Sequence, residues 1–339
     1  MSVTFSGGIT FTGGGFSFSE APPASATAGW FAGGTASIGN PWPTTSTVQR
    51  ITFATDTATA SVRGPLSYTN FKGAGTGTLT NGWFGGGYEG GGFASVFTRV
   101  TYATDTNTST NKGAISQVRW GLTATTDGTT YGWFGGGYSY PPPPSREQST
   151  VDRITFANDT ATATARGPLA TARIYLAATG NTTDGWYAGG QSAGDIPGSQ
   201  GMLSTVDRIT YATDTATATA KGPLSLARYN LAAVSDGTTY GWFGGGFNNN
   251  GDHTRVDRIT YATDTTTASV RGPLTQSIFR LGGSGDSTNG YFGAGLSYQP
   301  YGLQSMVQRI TYATDTATAS FRGTLSVALS WSAGASGVQ

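Results

Sequence analysis

The sequence contains no cysteine and only one histidine, His253. Without thiols there is no disulfide framework, no thiolate metal site and no cysteine nucleophile. Charge is scarce too: Lys, Arg, Asp and Glu make up 11% of the chain and leave a net charge of +1. So even a balance provides no field to gather a phosphate backbone, and nucleic acid is not an expected partner. No apolar run approaches the ~18–20 residues of a membrane span, so none is expected. Met1-Ser2-Val3-Thr4-Phe5-Ser6-Gly7-Gly8 has neither the basic segment nor the apolar stretch of an export signal, which points to synthesis in a cytoplasm without a signal peptide.

The 339 residues include 53 glycines and an aromatic share of 12%. Thr, Tyr, Phe, Trp and Val are abundant, while the common helix formers are sparse. That vocabulary belongs to strands and turns, and the expected class is all-β.

Internal repetition dominates the chain. The block Tyr240-Gly241-Trp242-Phe243-Gly244-Gly245-Gly246 recurs at 131–137 and, more loosely, at 28–34, 81–87, 184–190 and 289–295. Its lead aromatics Trp30, Trp83, Trp133, Trp186, Trp242 and Tyr291 are 53, 50, 53, 56 and 49 residues apart. A second block, Val256-Asp257-Arg258-Ile259-Thr260-Tyr261-Ala262-Thr263-Asp264-Thr265, also occurs six times, with turn aspartates Asp56, Asp105, Asp159, Asp214, Asp264 and Asp315.

Each copy reads as four short strands. The first follows Gly-Pro-Leu, as in 229–235, and turns at Asp236-Gly237. The second is Gly-Trp-Phe-Gly-Gly. In the third, Val256, Arg258, Thr260 and Ala262 share one face, and Asp257, Ile259 and Tyr261 the other. The fourth is a Thr/Ala alternation ending in Arg-Gly-Pro, suited to an outer strand with little to bury. Four strands per ~50 residues, six times over, predict a six-bladed β-propeller. The first unit has no leading strand of its own, whereas 326–336 continue past the last unit in register with one. One blade is therefore expected to combine strands from both termini, closing the ring. The predicted division is an N-terminal arm over 1–26 and a propeller over 27–339.

Paired glycines after an apolar second strand, a downstream Tyr in the third and a period near 50 resemble Kelch repeats over about 27–339. The Trp that Kelch units usually carry shortly after that Tyr is replaced here by the Thr/Ala strand, as in a divergent relative. Some Kelch-type propellers hold a copper oxidase site built from histidines, a tyrosine and a cysteine; His253 alone, with no cysteine, excludes that chemistry.

The charges sort by repeat position. Arg50, Arg99, Arg153, Arg208, Arg258 and Arg309 occupy one position, and Arg63, Lys112, Arg166, Lys221, Arg271 and Arg322 another. A single catalytic site has no reason to recur six times, so these twelve read as architectural. So do the turn aspartates, whose side chains are expected to bond nearby backbone N–H groups. The paired glycines are expected to let successive blades pack closely. His253 follows the turn-forming run 248–252 and reads as a solvated loop side chain. The non-repeated carboxylates Glu89, Glu147, Asp195 and Asp252 could supply a glycosidase pair, but nothing in the sequence brings any two of them together. No catalytic, cofactor-binding or metal-ligating residue is assigned, and the chain is expected not to be an enzyme.

The segments joining second and third strands vary while everything around them repeats, and strand alternation places all six on one face of the disc. They carry Trp42, Tyr88, Phe93, Tyr138, Tyr140, Phe247, Asn249, Tyr298 and Tyr301. Amphipathic rings with adaptable amides suit a contact face for protein or glycan.

In the arm, 3–6, 9–12 and 16–19 alternate as three strand-like pieces carrying Phe5, Ile9, Phe11, Phe16 and Phe18, which should pair with another surface. Ser6-Gly7-Gly8-Ile9-Thr10-Phe11-Thr12-Gly13-Gly14 and the Gly/Thr-rich repeats resemble virion structural proteins of marine tailed phages. The resemblance implies a non-enzymatic virion component, tail or tail-fibre associated, in a multi-copy assembly. The arm would bind other virion structural proteins, and the loop face a host-surface glycan, a receptor or a virion neighbour. The alternatives are a capsid decoration protein or a cellular lectin-like or scaffold propeller.

Overall fold

The computed structural model describes residues 8–12, 15–19, 25–38, 43–90, 92–139, 147–193 and 200–337. Its architecture is the expected six-bladed β-propeller, each blade a four-stranded antiparallel sheet. In the fifth blade the strands run Ala232–Ser235, Tyr240–Gly244, Val256–Thr260 and Ser269–Val270 from axis to rim. The first blade takes its inner strand, Ala333–Ala335, from the C-terminal end and its other three, Ala28–Ala32, Val48–Thr52 and Ser61–Arg63, from the N-terminal side. Trp30 pairs with Ala335 and Phe31 with Gly334, so the ring is closed by ladder hydrogen bonds. Among the described residues no helix is long and apolar enough to cross a membrane.

The core lies between blades, not within them. Alternation gives each sheet two buried faces. Trp242 and Val256 point toward the sixth blade, where Phe292 and Ile310 meet them; Phe243, Ile259 and Tyr261 point back to Trp186 and Val206 of the fourth. The same division produces one apolar cluster at each of the six interfaces. Inner strands are built from Gly, Ala, Ser, Thr and Val because they converge on the axis.

Each interface is fastened by one repeated joint. The third strand ends in a single 3₁₀ turn such as Tyr211–Thr213, which sets Asp214 at its C-terminal end. Asp214 does not cap its own turn, as the sequence suggested. Its Oδ2 reaches into the preceding blade, accepting from Trp133 Nε1 at 2.9 Å and Arg153 Nη1 at 3.0 Å, with Arg166 Nε at 3.6 Å. The Trp133 ring stacks on Tyr211 with centroids 3.7 Å apart. Trp30, Trp83, Trp186 and Trp242 make the same bond to Asp105, Asp159, Asp264 and Asp315. At the closing interface Tyr291 replaces the tryptophan and donates its hydroxyl to Asp56 at 3.1 Å, beside Arg309 at 2.8 Å. All twelve recurrent cations are thereby absorbed, each against the aspartate of the next blade.

Two kinds of glycine serve this joint. At Gly167, after the outer strand, the backbone N–H donates to Asp214 O at 2.7 Å, and a Cβ would stand 1.8 Å from Ala216 O. The paired glycines have a second reason beyond blade spacing: at Gly136 and Gly137 φ is 70° and 101°, a left-handed exit from the second strand that L side chains resist.

In the arm, Gly8–Thr12 and Gly15–Ser19 form a two-stranded hairpin that pairs Ile9 with Phe18 and Phe11 with Phe16. The expected strand at 3–6, with Phe5, lies outside the described residues.

Asp159→Ala should strand the Trp83 indole N–H, Arg99 and Lys112 together. Because both cations keep some solvent, we expect a loss of about 2–3 kcal/mol rather than the larger cost of a fully buried pair. Tyr291→Phe removes one hydrogen bond at the closing joint and should cost about 1 kcal/mol. Denaturant melts of the two variants check the order.

Candidate functional site

Strand direction brings the joins between second and third strands and the crossings from outer to inner strands to the same face. Several joins are short hairpins rising from that face, including Tyr88–Glu89 with Gly92–Phe93, Phe247–Asn248 with Gly251–Asp252, and Leu296–Tyr298 with Tyr301–Leu303. Single bridges tie them to the crossings: Phe71 with Tyr88, Trp120 with Tyr138, Tyr229 with Phe247 and Phe279 with Leu296.

Each crossing ends, just before the inner strand, in one residue with left-handed backbone. These are Lys72 (φ 60°), Gly121 (67°), Tyr175 (60°), Asn230 (56°), Arg280 (60°) and Trp331 (56°). The conformation has a structural cause. The N–H groups of Gly121, Tyr175, Asn230, Arg280 and Trp331 donate to the carbonyls of Lys72, Gly121, Tyr175, Asn230 and Arg280 respectively, at 2.8–2.9 Å, linking the blades around the axis. Gly121 meets this requirement without strain, and Asn230 is the next most tolerant type. Lysine, tyrosine, arginine and tryptophan hold the same backbone at a cost of roughly 1–2 kcal/mol each. The backbone ring explains the conformation but not these side chains.

Those side chains converge. Together with the starts of all six inner strands they line an axial cavity of about 110 Å³. Lys72 is 8% exposed, with Nζ 4.2 Å from the Trp120 ring centroid and 4.4 Å from that of Trp331, and it donates to Tyr175 Oη at 3.1 Å. The Arg280 guanidinium lies 3.6 Å from the same Trp331 centroid, and Trp331 Nε1 donates to Asn230 Oδ1 at 3.3 Å. Burial, reinforced by Arg280, lowers the Lys72 ammonium to about 7, and burial raises the Tyr175 phenol.

Three crossings are pinned from below by buried ion pairs: Arg119 with Asp152 at 2.5 Å, Arg173 with Asp207 at 2.8 Å and Arg228 with Asp257 at 2.7 Å. The equivalent side chain is Gln49 in the first blade and Gln308 in the sixth; their Oε1 atoms accept backbone N–H bonds from Val327 and Gln276. These groups hold the face in shape and are enclosed.

The residues expected to form the contact face fall into two clusters. Tyr88, Phe93 and Tyr138 gather around Trp120. Phe247, Tyr298 and Tyr301 gather around Phe279, with Tyr229 against Phe247. Tyr175 joins the two sets, 5.6 Å from Trp120 and 6.0 Å from Tyr229. Tyr298 and Tyr301 are 45% and 61% exposed and stack with centroids 5.7 Å apart. Asn249 is exposed at a hairpin tip. Trp42 and Tyr140 lie outside the described residues.

Sequence reasoning missed Lys72, Trp120, Tyr175, Tyr229, Phe279, Arg280 and Trp331. Their signal was two adjacent positions that recur at the repeat spacing: one, holding Lys72, Tyr175, Arg280 and Trp331, changes residue type in every blade, and the one before it, holding Trp120, Tyr229 and Phe279, is mostly aromatic. His253 also differs from expectation: it is partly buried, its Nε2 enclosed, and its pKa is lowered by burial and by Arg228 and Arg255. Asp252 serves as a clamp, accepting from Ser277 Oγ, Ser297 Oγ and the Tyr298 N–H. Among the described residues no three His, Asp or Glu side chains gather as a metal site.

Lys72 titrates near 7 in the folded chain and at 10.5 when free. The unfolded chain then holds the extra proton between those values, so stability should rise with pH from 7 toward the tyrosine range near 10, its penalty being fully present below 7. Denaturant melts across that window should show a rise in the wild type that Lys72→Met flattens.

No protein-family model matches this chain, and no curated protein matches it.

Proposed function

We propose that the chain is a non-enzymatic virion component: a Kelch-like propeller, tail or tail-fibre associated, carried on its arm. Its hairpin face would contact a host-surface glycan or a neighbouring virion protein. The observation that carries the binding role is the exposed, stacked Tyr298–Tyr301 pair at the end of an aromatic arc. Exposed tyrosines pay little conformational entropy on ordering and present a flat apolar face with a polar tip, which suits both sugars and proteins. The paired glycines and the repeat period support the Kelch-like kinship. Support for a particle comes from the arm's opening and from its Ile9, Phe11, Phe16 and Phe18 hairpin, an apolar alternation on a two-stranded ribbon too small to be stable by itself.

Immunogold electron microscopy on particles from the source culture, with antibody against 27–339, tests the assignment. Tail or fibre label is the expected result, and head label would make this a decoration protein. Absence of label from every particle would sink the virion reading in favour of a cellular propeller. Deleting residues 1–26 should leave the melting transition in place and abolish incorporation. Tyr298→Ala with Tyr301→Ala should leave incorporation intact and reduce attachment.

A further inference from the structure

We propose that the axial cavity binds the carboxylate of an acidic sugar, with Arg280 and Lys72 as its cationic anchors. The sugar as the source of the carboxylate rests on the glycan reading above; the anion site itself rests on the cavity.

Arg280 carries the case. Among the described residues, each arginine within ion-pair reach of an aspartate serves a joint or a crossing, as Arg153 and Arg173 illustrate. Among the described residues the Arg280 guanidinium, which has five N–H donors, gives no hydrogen bond and meets no carboxylate; its Cζ lies over Trp331, 3.6 Å from the ring centroid. The cation–π contact holds the group over the indole and leaves its N–H donors for a planar, bidentate acceptor. Lys72 approaches the same indole, with Nζ 4.4 Å from its centroid, so two cations meet at one ring. No Asp or Glu lines the cavity. Two cations brought together in a partly desolvated site repel each other, and Arg280 indeed helps to lower the Lys72 pKa. An anion reverses that repulsion.

Size and surroundings select the ligand. A cavity of about 110 Å³ takes a carboxylate and the few atoms that carry it, not a whole sugar ring. The rest of the ligand would lie over rings that lead outward from the axis in tilted and edge-on contacts, Tyr175 to Tyr229 at 6.0 Å, then Phe247 and Tyr298 at 5.7 and 5.5 Å. Asn230 adds an amide at the rim, and apolar faces with a few placed polar groups are what a sugar's two sides require.

The test is titration of the full chain with glucuronate, glucose and glutarate, followed by tryptophan fluorescence, because both anchors lie against Trp331. Glucuronate should bind, glucose should bind at least about tenfold more weakly, and glutarate should fall between. Affinity for glucuronate should decline as pH rises through 7, where Lys72 loses its proton; Arg280 stays charged and Tyr175 neutral. Lys72→Met should remove that pH dependence, and Arg280→Gly should weaken binding about tenfold to a hundredfold. Glycine at 280 copies what Gly121 already does at the equivalent position, so the backbone ring survives, as near-UV circular dichroism would verify. Glutarate binding as tightly as glucuronate would overturn the sugar as source. Glucuronate binding no better than glucose, or equally well to wild type and Arg280→Gly, would overturn the site. Particle labelling is untouched by either result, so failure here and failure of the virion assignment are read separately.

Discussion

A carboxylate that reaches across to the neighbouring blade is the interaction on which this propeller depends. Each blade is a small sheet with apolar residues on both faces, and it cannot bury either one alone. The aspartate at the end of the third strand accepts from the previous blade's indole N–H and from its arginine at distances of 2.8–3.1 Å. Beneath it, the same indole stacks on the aromatic that starts the aspartate's own turn. Apolar burial is indifferent to sliding; the hydrogen bonds are not. The joint therefore sets both the angle and the height at which blades meet.

Closure is where that joint is made differently. Tyr291 stands in for tryptophan, stacking on Phe53 at 4.7 Å and reaching Asp56 through its hydroxyl. A phenol donor replaces an indole donor, so the carboxylate remains satisfied, and Arg309 and Arg322 complete it as elsewhere. This interface is also tied by the C-terminal strand. At the axis a Cβ on Gly334 would stand 1.8 Å from Gly283 O, so the last strand fits only because it lacks a side chain there.

Most of this architecture was legible because it repeats. The period gave the blade count, the alternation in Val-Asp-Arg-Ile-Thr gave the two buried faces, and the unmatched tail at 326–336 gave the closing strand. Recurrence also marked the twelve cations as structural. What it could not supply was pairing. Asp214 lies 81 residues from Trp133, and one sequence shows that both recur without showing that they touch, so a local cap was the natural assignment. The axial residues were lost for the opposite reason. Lys72, Tyr175, Arg280 and Trp331 share a position but not a chemistry, and a search for repeats passes over whatever does not repeat. The exposed aromatics Tyr298 and Tyr301 were found because their hairpin varies in length, which is visible by inspection.

The two halves of the molecule follow from one division of labour. The five backbone bonds that link the six crossings around the axis join residues that are left-handed in every blade, and glycine would be the least strained choice at all six. Only the third blade uses it. Elsewhere the chain tolerates strain to place a lysine, a tyrosine, an asparagine, an arginine and a tryptophan around one small cavity, and it buries a lysine deeply enough to bring its pKa to about 7. Architecture alone selects against each of those choices. Sixfold joints strong enough to absorb such local costs make a face on which five different side chains can be held at fixed positions.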